Sequence, residues 1–331
     1  MIRLLVFFYF IFYSVCFSEE SITLRVSSYL SPLSHSVKSI YEPWMDSVVK
    51  ASNYRIKFKV YWGGSLGRSP YKQFDLVKAG ITEIGLVQPS YTPGQFPQMQ
   101  VFELPFLMRS STEASLVAWN LFERGVLQGF DDVKLLGLWT AEPSNLFTKS
   151  GVKSYNDIKG LKIRSVGRLE GDFLKKLDAV PEALHPSDAV EALRRGTLDG
   201  AIQGWIALNT FQTYRETDHV ITAPLGTVSF ALMMNREVWK NIPDDLKEII
   251  DNNSGEKIAL IGGEAYDRRQ KEISDKLRLQ KHLTFEEAGT VKIEEMKKYV
   301  DPIARSWVDR TNYGDETISM VKEILEEIRA R

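Results

Sequence analysis

From Ile22 onward the spacing of apolar positions switches repeatedly between two and about three and a half residues. "ITLRVSSY" and "YRIKFKVYW" alternate and predict strands, while "HSVKSIYEPWMDSVVKAS" between them carries its apolar residues at helical spacing. After the Gly-rich loop "GGSLGRSP" comes "YKQFDLVKAG", a helix stopped by Gly80, and then the short buried strand "EIGLVQ". The loop "PSYTPGQFP" leads to the helical "TEASLVAWNLFERGVL" and the strand "VKLLGLWTA". This βαβαβ rhythm predicts a mostly parallel sheet covered on both faces.

A second unit repeats the rhythm. "SNLFTK" reads as a crossing strand, followed by "LKIRS", the helix "LEGDFLKKLDA", a segment around "PEALH", the helix "SDAVEALRRG" and the strand "LDGAIQ". "GTVSFALMMN" returns as a β-rich run, and the rest is largely helical. Good helix formers from about 254 to 278 predict one long helix, with Gly262 and Gly263 as the positions that would accommodate a bend. The order implies two α/β lobes with more than one crossing and a ligand cleft between them. The boundaries expected are 21–143 plus about 235–260 for the first lobe, and 144–234 plus about 270–331 for the second.

The first residues follow another pattern. "MIR" precedes an uncharged apolar run from Leu4 to Phe17, then small residues and the acidic pair Glu19 and Glu20. That is the layout of a signal peptide over residues 1–18, and the run is short of the roughly 18–20 residues that span a bilayer. An uncleaved anchor is the alternative; a lipid on Cys16 fits less well, because Val15 stands where a small residue is expected. Cys16 is the single cysteine, so processing leaves no thiol for a disulfide or a metal, which suggests a bacterial periplasm. A length of 331 residues with 44% apolar positions suffices for two cores, and a net charge of −1 gives no electrostatic case for nucleic acid.

Catalytic signatures are missing from the sequence. It has no G-x-S-x-G elbow, and "GGSLGRSP" has neither the lysine of a phosphate loop nor the spacing of a dinucleotide fingerprint. The four histidines are scattered without metal-ligand spacing. A binding protein with no metal and no cofactor is the expectation. Its sharpest feature is Arg164, placed at the end of "LKIRS" just before Gly167 and a helix. Open α/β sheets bind ligands at such strand ends, and arginine grips a carboxylate with paired hydrogen bonds. A surface arginine on an edge strand is the bland alternative.

These segments resemble the substrate-binding subunits of tripartite ATP-independent periplasmic (TRAP) transporters, of the DctP family, over nearly the whole mature chain. "DIKGLKIRSVG" resembles that family's D-x-K-G-x-K-[IL]-R-x-P-G, and "HPSDAVEALRRGTLDGAIQGW" the helix and strand that follow. "VYWGGSLG", "ELPFL", "MMNREVWKNIPDDLKEII" and "SSYLSPLSHSV" resemble further hallmarks, and "PSYTPGQFP" a loop of one subgroup. The resemblance implies a two-lobed, type-II-like periplasmic-binding-protein fold, with the helix at about 254–278 lying across both lobes. It implies capture of a small organic acid for a membrane permease of small and large subunits, with Arg164 bonded to the acid's carboxylate. A solute-binding subunit of an ATP-driven importer, or an enzyme or sensing module on the same fold, are the rivals.

Where many relatives have D-G-Q-E-N-P, this chain reads "DGAIQGW", so Gln203 takes the place of a ligand-contacting asparagine, with Trp205 just beyond as a candidate pocket wall. Where sialic-acid-type relatives carry a further arginine, "EPSNLFTK" offers Ser144 or Asn145, which favours a monocarboxylate or a ligand with a polar or aromatic remainder. Tyr91 on a loop after a strand, and Tyr29 beside Ser28 and His35, are candidate contacts. Arg168 is a candidate second cation, Phe106 is expected in the core, and Asn235 at ligand or hinge backbone. Export makes a first test. Mass spectrometry of periplasmic extract should find the chain cut close to Ser18 and free of cysteine; retention of residues 1–17, or a lipid on Cys16, would contradict it.

Overall fold

A computed structural model of the protein describes residues 21–149, 151–288 and 290–330. The expected signal peptide at 1–18 lies outside the described residues. The strands are β1 (Ile22–Ser27), β2 (Ile56–Tyr61), β3 (Ile84–Val87), β4 (Val133–Thr140), β5 (Asn145–Thr148), β6 (Lys162–Ser165), β7 (Val180–Ala183), β8 (Gly200–Gln203), β9 (His219–Thr222), β10 (Ser229–Asn235) and β11 (Thr284–Glu287). The helices are α1 (Glu42–Ala51), α2 (Gln73–Lys78), α3 (Ser111–Glu123), α4 (Arg168–Lys176), α5 (Pro186–Arg194), α6 (Trp205–Thr210), α7 (Arg236–Asn241), α8 (Asp244–Asn252), α9 (Glu256–Arg278), α10 (Thr290–Arg310) and α11 (Gly314–Arg329).

Two sheets result, one per lobe: five strands in the order β2-β1-β3-β10-β4, and six in the order β11-β9-β5-β8-β6-β7. β1 runs parallel to β2 and β3, and β6 parallel to β7 and β8. Each sheet contains one reversed strand, β10 in the first and β5 in the second. Both reversed strands follow a crossing between lobes, β4 to β5 and β9 to β10. The crossing segments also bond to each other, Ala141 N donating to Val228 O at 2.8 Å and Ser144 N to Gly226 O at 2.8 Å. Buried on both faces, β3, β4 and β10 read as the continuous apolar runs expected of central strands.

Helix α9 is continuous over its 23 residues, without a break at Gly262 and Gly263. It lies against α3 and β4 in the first lobe and α6 in the second, and Ile273 and Leu277 share a core with Trp205 and Phe285. The helix therefore spans both lobes. Its glycines serve close approach: a Cβ at Gly262 would stand 2.7 Å from the Trp139 Cβ, and one at Gly263 2.5 Å from the Thr112 Cα. One turn on, the Asp267 carboxylate accepts from the amides of Ser111 at 2.8 Å and Thr112 at 2.9 Å, tying the start of α3 to α9.

Two parts of the expected organisation differ. The return to the first lobe comes before Ser229, because β10 pairs with β3 and β4 there, whereas the sequence placed residues up to 234 in the second. The last helix, α11, packs on α3 of the first lobe, with Arg329 paired to Glu113 and Arg124 to Glu323 and Glu327, so the tail is not wholly a second-lobe element. No described helix is long and apolar enough to cross a membrane.

The α3–α9 contact yields a stability prediction. Gly263→Ala gains about 1 kcal/mol of helix propensity, but pressing a methyl into the Thr112 backbone costs about 1–3 kcal/mol, so the denaturation midpoint should fall. Leu260→Ala, at an exposed position of the same helix, should stay within about 0.5 kcal/mol of wild type. An unchanged or raised midpoint in Gly263→Ala would show that α3 and α9 yield freely there.

Candidate functional site

The carboxyl ends of β1, β3, β6 and β8 and the crossing segments converge on a cavity of about 130 Å³ lined from both lobes. Arg164 enters it from β6, held between β7 and β8, where it stands opposite Glu182 and Ala201. Its side chain is fixed by backbone: Nε donates to Leu184 O and Nη1 to Ile202 O, each at 2.9 Å. The residue is 1% exposed, and no carboxylate forms an ion pair with it among the described residues. Burial pushes its pKa down from the usual value, yet a guanidinium stays protonated in proteins.

Glu170, on α4, is buried within reach of that charge. Its Oε2 accepts from Val166 N at 2.8 Å, and burial pushes its pKa up to about 7 while the Arg164 charge pulls it down. It makes no hydrogen bond to Arg164, so the cation keeps Nη2 unpartnered among the described residues. His185, beyond β7, also lines the cavity; burial first, and then the Arg164 charge, push its pKa down. Burial pushes the Tyr91 phenol up to about 12, with Arg164 acting in the opposite direction.

Polar side chains continue around the wall. Gln203, 1% exposed at the end of β8, has no partner for either its Oε1 or its Nε2 among the described residues. The Tyr29 hydroxyl meets Gln88 Oε1 at 3.2 Å, and Gln88 Nε2 donates to Ser90 Oγ at 3.0 Å. Glu142 lies on the crossing from β4 to β5; its Oε1 accepts from Ile206 N at 2.7 Å and its Oε2 has no partner. Burial pushes that carboxyl up to about 8. Val166, Ile206, Phe211, Val228 and Phe230 supply apolar wall, with Ser34, Ser36, Ser144 and Thr210 among the polar residues that complete it.

Of the residues picked out by sequence, Arg164, Gln203, Tyr91 and Tyr29 line this cavity together, with Ser144 and His35. Three others lie away from it. Trp205 is core, edge-on to Phe147 at 5.2 Å and stacked near Phe285 at 6.2 Å, because the first turn of α6 faces the second-lobe interior. Asn145 is turned into the backbone, its Oδ1 accepting from Ala223 N at 3.0 Å, so its neighbour Ser144 reaches the cavity instead. Arg168 starts α4 on the outer surface near Asp172, where solvent solvates it. Phe106 packs edge-on to Phe173, and Asn235 caps α7 and donates to Val77 O and Lys78 O, a structural role. Glu142, Gln88, His185, Phe211 and Phe230 were not picked out. Only Glu142 carried a signal, an acid beside a proline in the crossing stretch "AEPSN". Among the described residues no group of three or more His, Cys, Asp or Glu is placed to hold a metal ion.

Known proteins of this form carry the same architecture. The chain matches the family model "Bacterial extracellular solute-binding protein, family 7" (DctP) over residues 26–311. It is similar to the structure of a TRAP solute-binding protein from Rhodoferax ferrireducens in complex with copurified benzoate, at 28% identity and a TM-score of 0.87, covering 93% of this chain and 98% of that one. A marine metagenome TRAP solute-binding protein specific for aromatic acid ligands, crystallised with 3-hydroxybenzoate, is 26% identical with a TM-score of 0.87, covering 93% and 99%. The C4-dicarboxylate-binding periplasmic protein of Rhodobacter capsulatus is 21% identical over 324 residues, 91% of this chain and 94% of its own length. These relatives are binding components of transport, not enzymes. With the family model matched over residues 26–311 and the fold shared over 93% of the chain, the chain belongs to the DctP family of TRAP transporter substrate-binding proteins.

Proposed function

We propose that this protein captures a small aromatic monocarboxylate in the cleft between its lobes and hands it, in the periplasm, to the small and large subunits of a TRAP permease. The observation that carries the reading is Arg164: a buried guanidinium, oriented by two backbone carbonyls and lacking an acid partner, at the wall of an otherwise largely apolar cavity. A desolvated cation is costly until an anion joins it, and a carboxylate suits its free donors. Cavity size supports one ring, since an engineered cavity of about 150 Å³ accepts benzene and this one is about 130 Å³.

Charge favours one carboxylate over two. Arg164 is the only arginine or lysine among the cavity's described lining residues, and burial pushes both lining histidines, His35 and His185, toward the neutral form. A dicarboxylate would leave its second charge unpaired. The relatives crystallised with benzoate and 3-hydroxybenzoate agree with this size and charge. Membership of the DctP family favours a TRAP permease over an ATP-driven importer.

Calorimetric titration with small carboxylates tests the reading. Hydrogen bonds to a charged group contribute about 1.5–3 kcal/mol each, and about 1.4 kcal/mol is tenfold in affinity. Arg164→Ala should therefore weaken binding by about two to three decades, with Arg164→Lys in between. Because Arg164 also holds the carbonyls of Leu184 and Ile202, the alanine variant should melt earlier even without ligand. Gln203→Leu should lose about tenfold in affinity with little change in melting, since Gln203 has no bond inside the protein to forfeit. Arg164→Ala binding within about threefold of wild type would overturn the assignment.

A further inference from the structure

Glu142 is the buried acid for which the binding of one carboxylate has no use. It is 1% exposed, lines the cavity, and sits on the first crossing segment rather than on the sheet that carries Arg164. The two groups are held by different elements: Arg164 is bonded to the carbonyls of Leu184 and Ile202 on the second-lobe sheet, and Glu142 to the Ile206 amide in the first turn of α6. The Arg164 charge acts on Tyr91, Glu170 and His185, whereas the ionisable neighbours of Glu142 are Asp267 and Tyr266, on α9.

The bonding of Glu142 fixes which oxygen does what. Oε1 accepts the Ile206 amide hydrogen at 2.7 Å, and a Cβ on Gly204 would come within 2.5 Å of it, so that oxygen is enclosed by backbone. No arginine, lysine or histidine bonds to the carboxyl, and burial holds it in the protonated form at neutral pH. With Oε1 accepting, the proton resides on Oε2, which is buried and has no partner among the described residues. A neutral acid in that state is a hydrogen-bond donor that lacks an acceptor.

We infer that Glu142 is a specificity-determining residue whose Oε2–H donates to an oxygen on the ligand remote from the carboxylate bound at Arg164. The ligand is then a single-ring acid carrying a hydroxyl or carbonyl oxygen on its far side. Unsubstituted rings leave the Oε2–H buried and unpaired, which is the strongest source of discrimination a polar pocket has. A ligand bearing a second carboxylate is disfavoured at the same place, because that anion would be buried with no cation to offset its charge. The inference rests on the carboxylate reading of Arg164, and its test separates the two.

The experiment is calorimetric titration of the wild type, Glu142→Gln and Glu142→Leu with benzoate, the 3- and 4-hydroxybenzoates and the matching formylbenzoates. The wild type should prefer at least one oxygen-bearing ring over benzoate by about tenfold or more. The formyl group accepts but cannot donate, so the formyl acid of the same substitution should share the preference. Glu142→Gln keeps an acceptor for Ile206 N and a donor for the ligand, and should retain most of the ratio. Glu142→Leu should bring it to within about threefold of unity. An unchanged ratio in Glu142→Leu overturns the inference, as does a wild type that favours the hydroxyl acids and rejects the formyl ones. The latter result needs no variant, so it decides even if Glu142→Leu fails to fold. A wild type that binds none of these acids defeats the functional reading instead, and one that binds them all equally defeats only the role of Glu142.

Discussion

A strand that has just crossed from one lobe to the other must begin at the cleft, and this constraint organises the molecule. In each sheet the parallel strands deliver their carboxyl ends to the cleft, while the arriving strand starts there and runs away from it. That is why β5 and β10 are reversed, each inside an otherwise parallel group. The consequence is chemical as well as topological. Strand ends from both sheets meet the two crossing segments at one place, so the unpaired backbone and side-chain polarity of several strand ends collects around a single cavity.

Arg164 shows how the sheet prepares the site. β6 lies between β7 and β8, and the carbonyls of Leu184, just past β7, and Ile202, in β8, each take one of its donors. The guanidinium is thus aimed before a ligand arrives, which lowers the ordering cost of binding. Gln203, Glu142 Oε2 and the remaining Arg164 donors are left unsatisfied at the cavity among the described residues. Their surroundings are aromatic and aliphatic, so a mostly apolar body with few, well-placed oxygens is the complement.

Ala141 and Ser144 bond to Val228 and Gly226, making a short ribbon between the lobes, and Glu142 sits within it. Helix α9 ties both lobes, held to α3 by Asp267 and by the close approach at Gly262 and Gly263.

Periodicity alone determined the two α/β units, the parallel preference and the strand that carries Arg164, because burial of a strand or a helix face writes a local repeat into the sequence. The family pattern around "GLKIR" singled out the arginine that lines the cavity, and the carbonyl pair that holds it came only with the fold. Side-chain direction was not legible. Trp205 and Gln203 are two residues apart, yet one faces the core and the other the cavity, since a strand ends and a helix begins between them. Asn145 and Ser144 differ by a single step of a strand start, which sends neighbours to opposite sides. Glu142 and His185 are ordinary residues in the sequence; their neighbours in space come from β8, α6 and β6, tens of residues away. Only tertiary packing buries Glu142, and that burial is what pushes its carboxyl up to about 8.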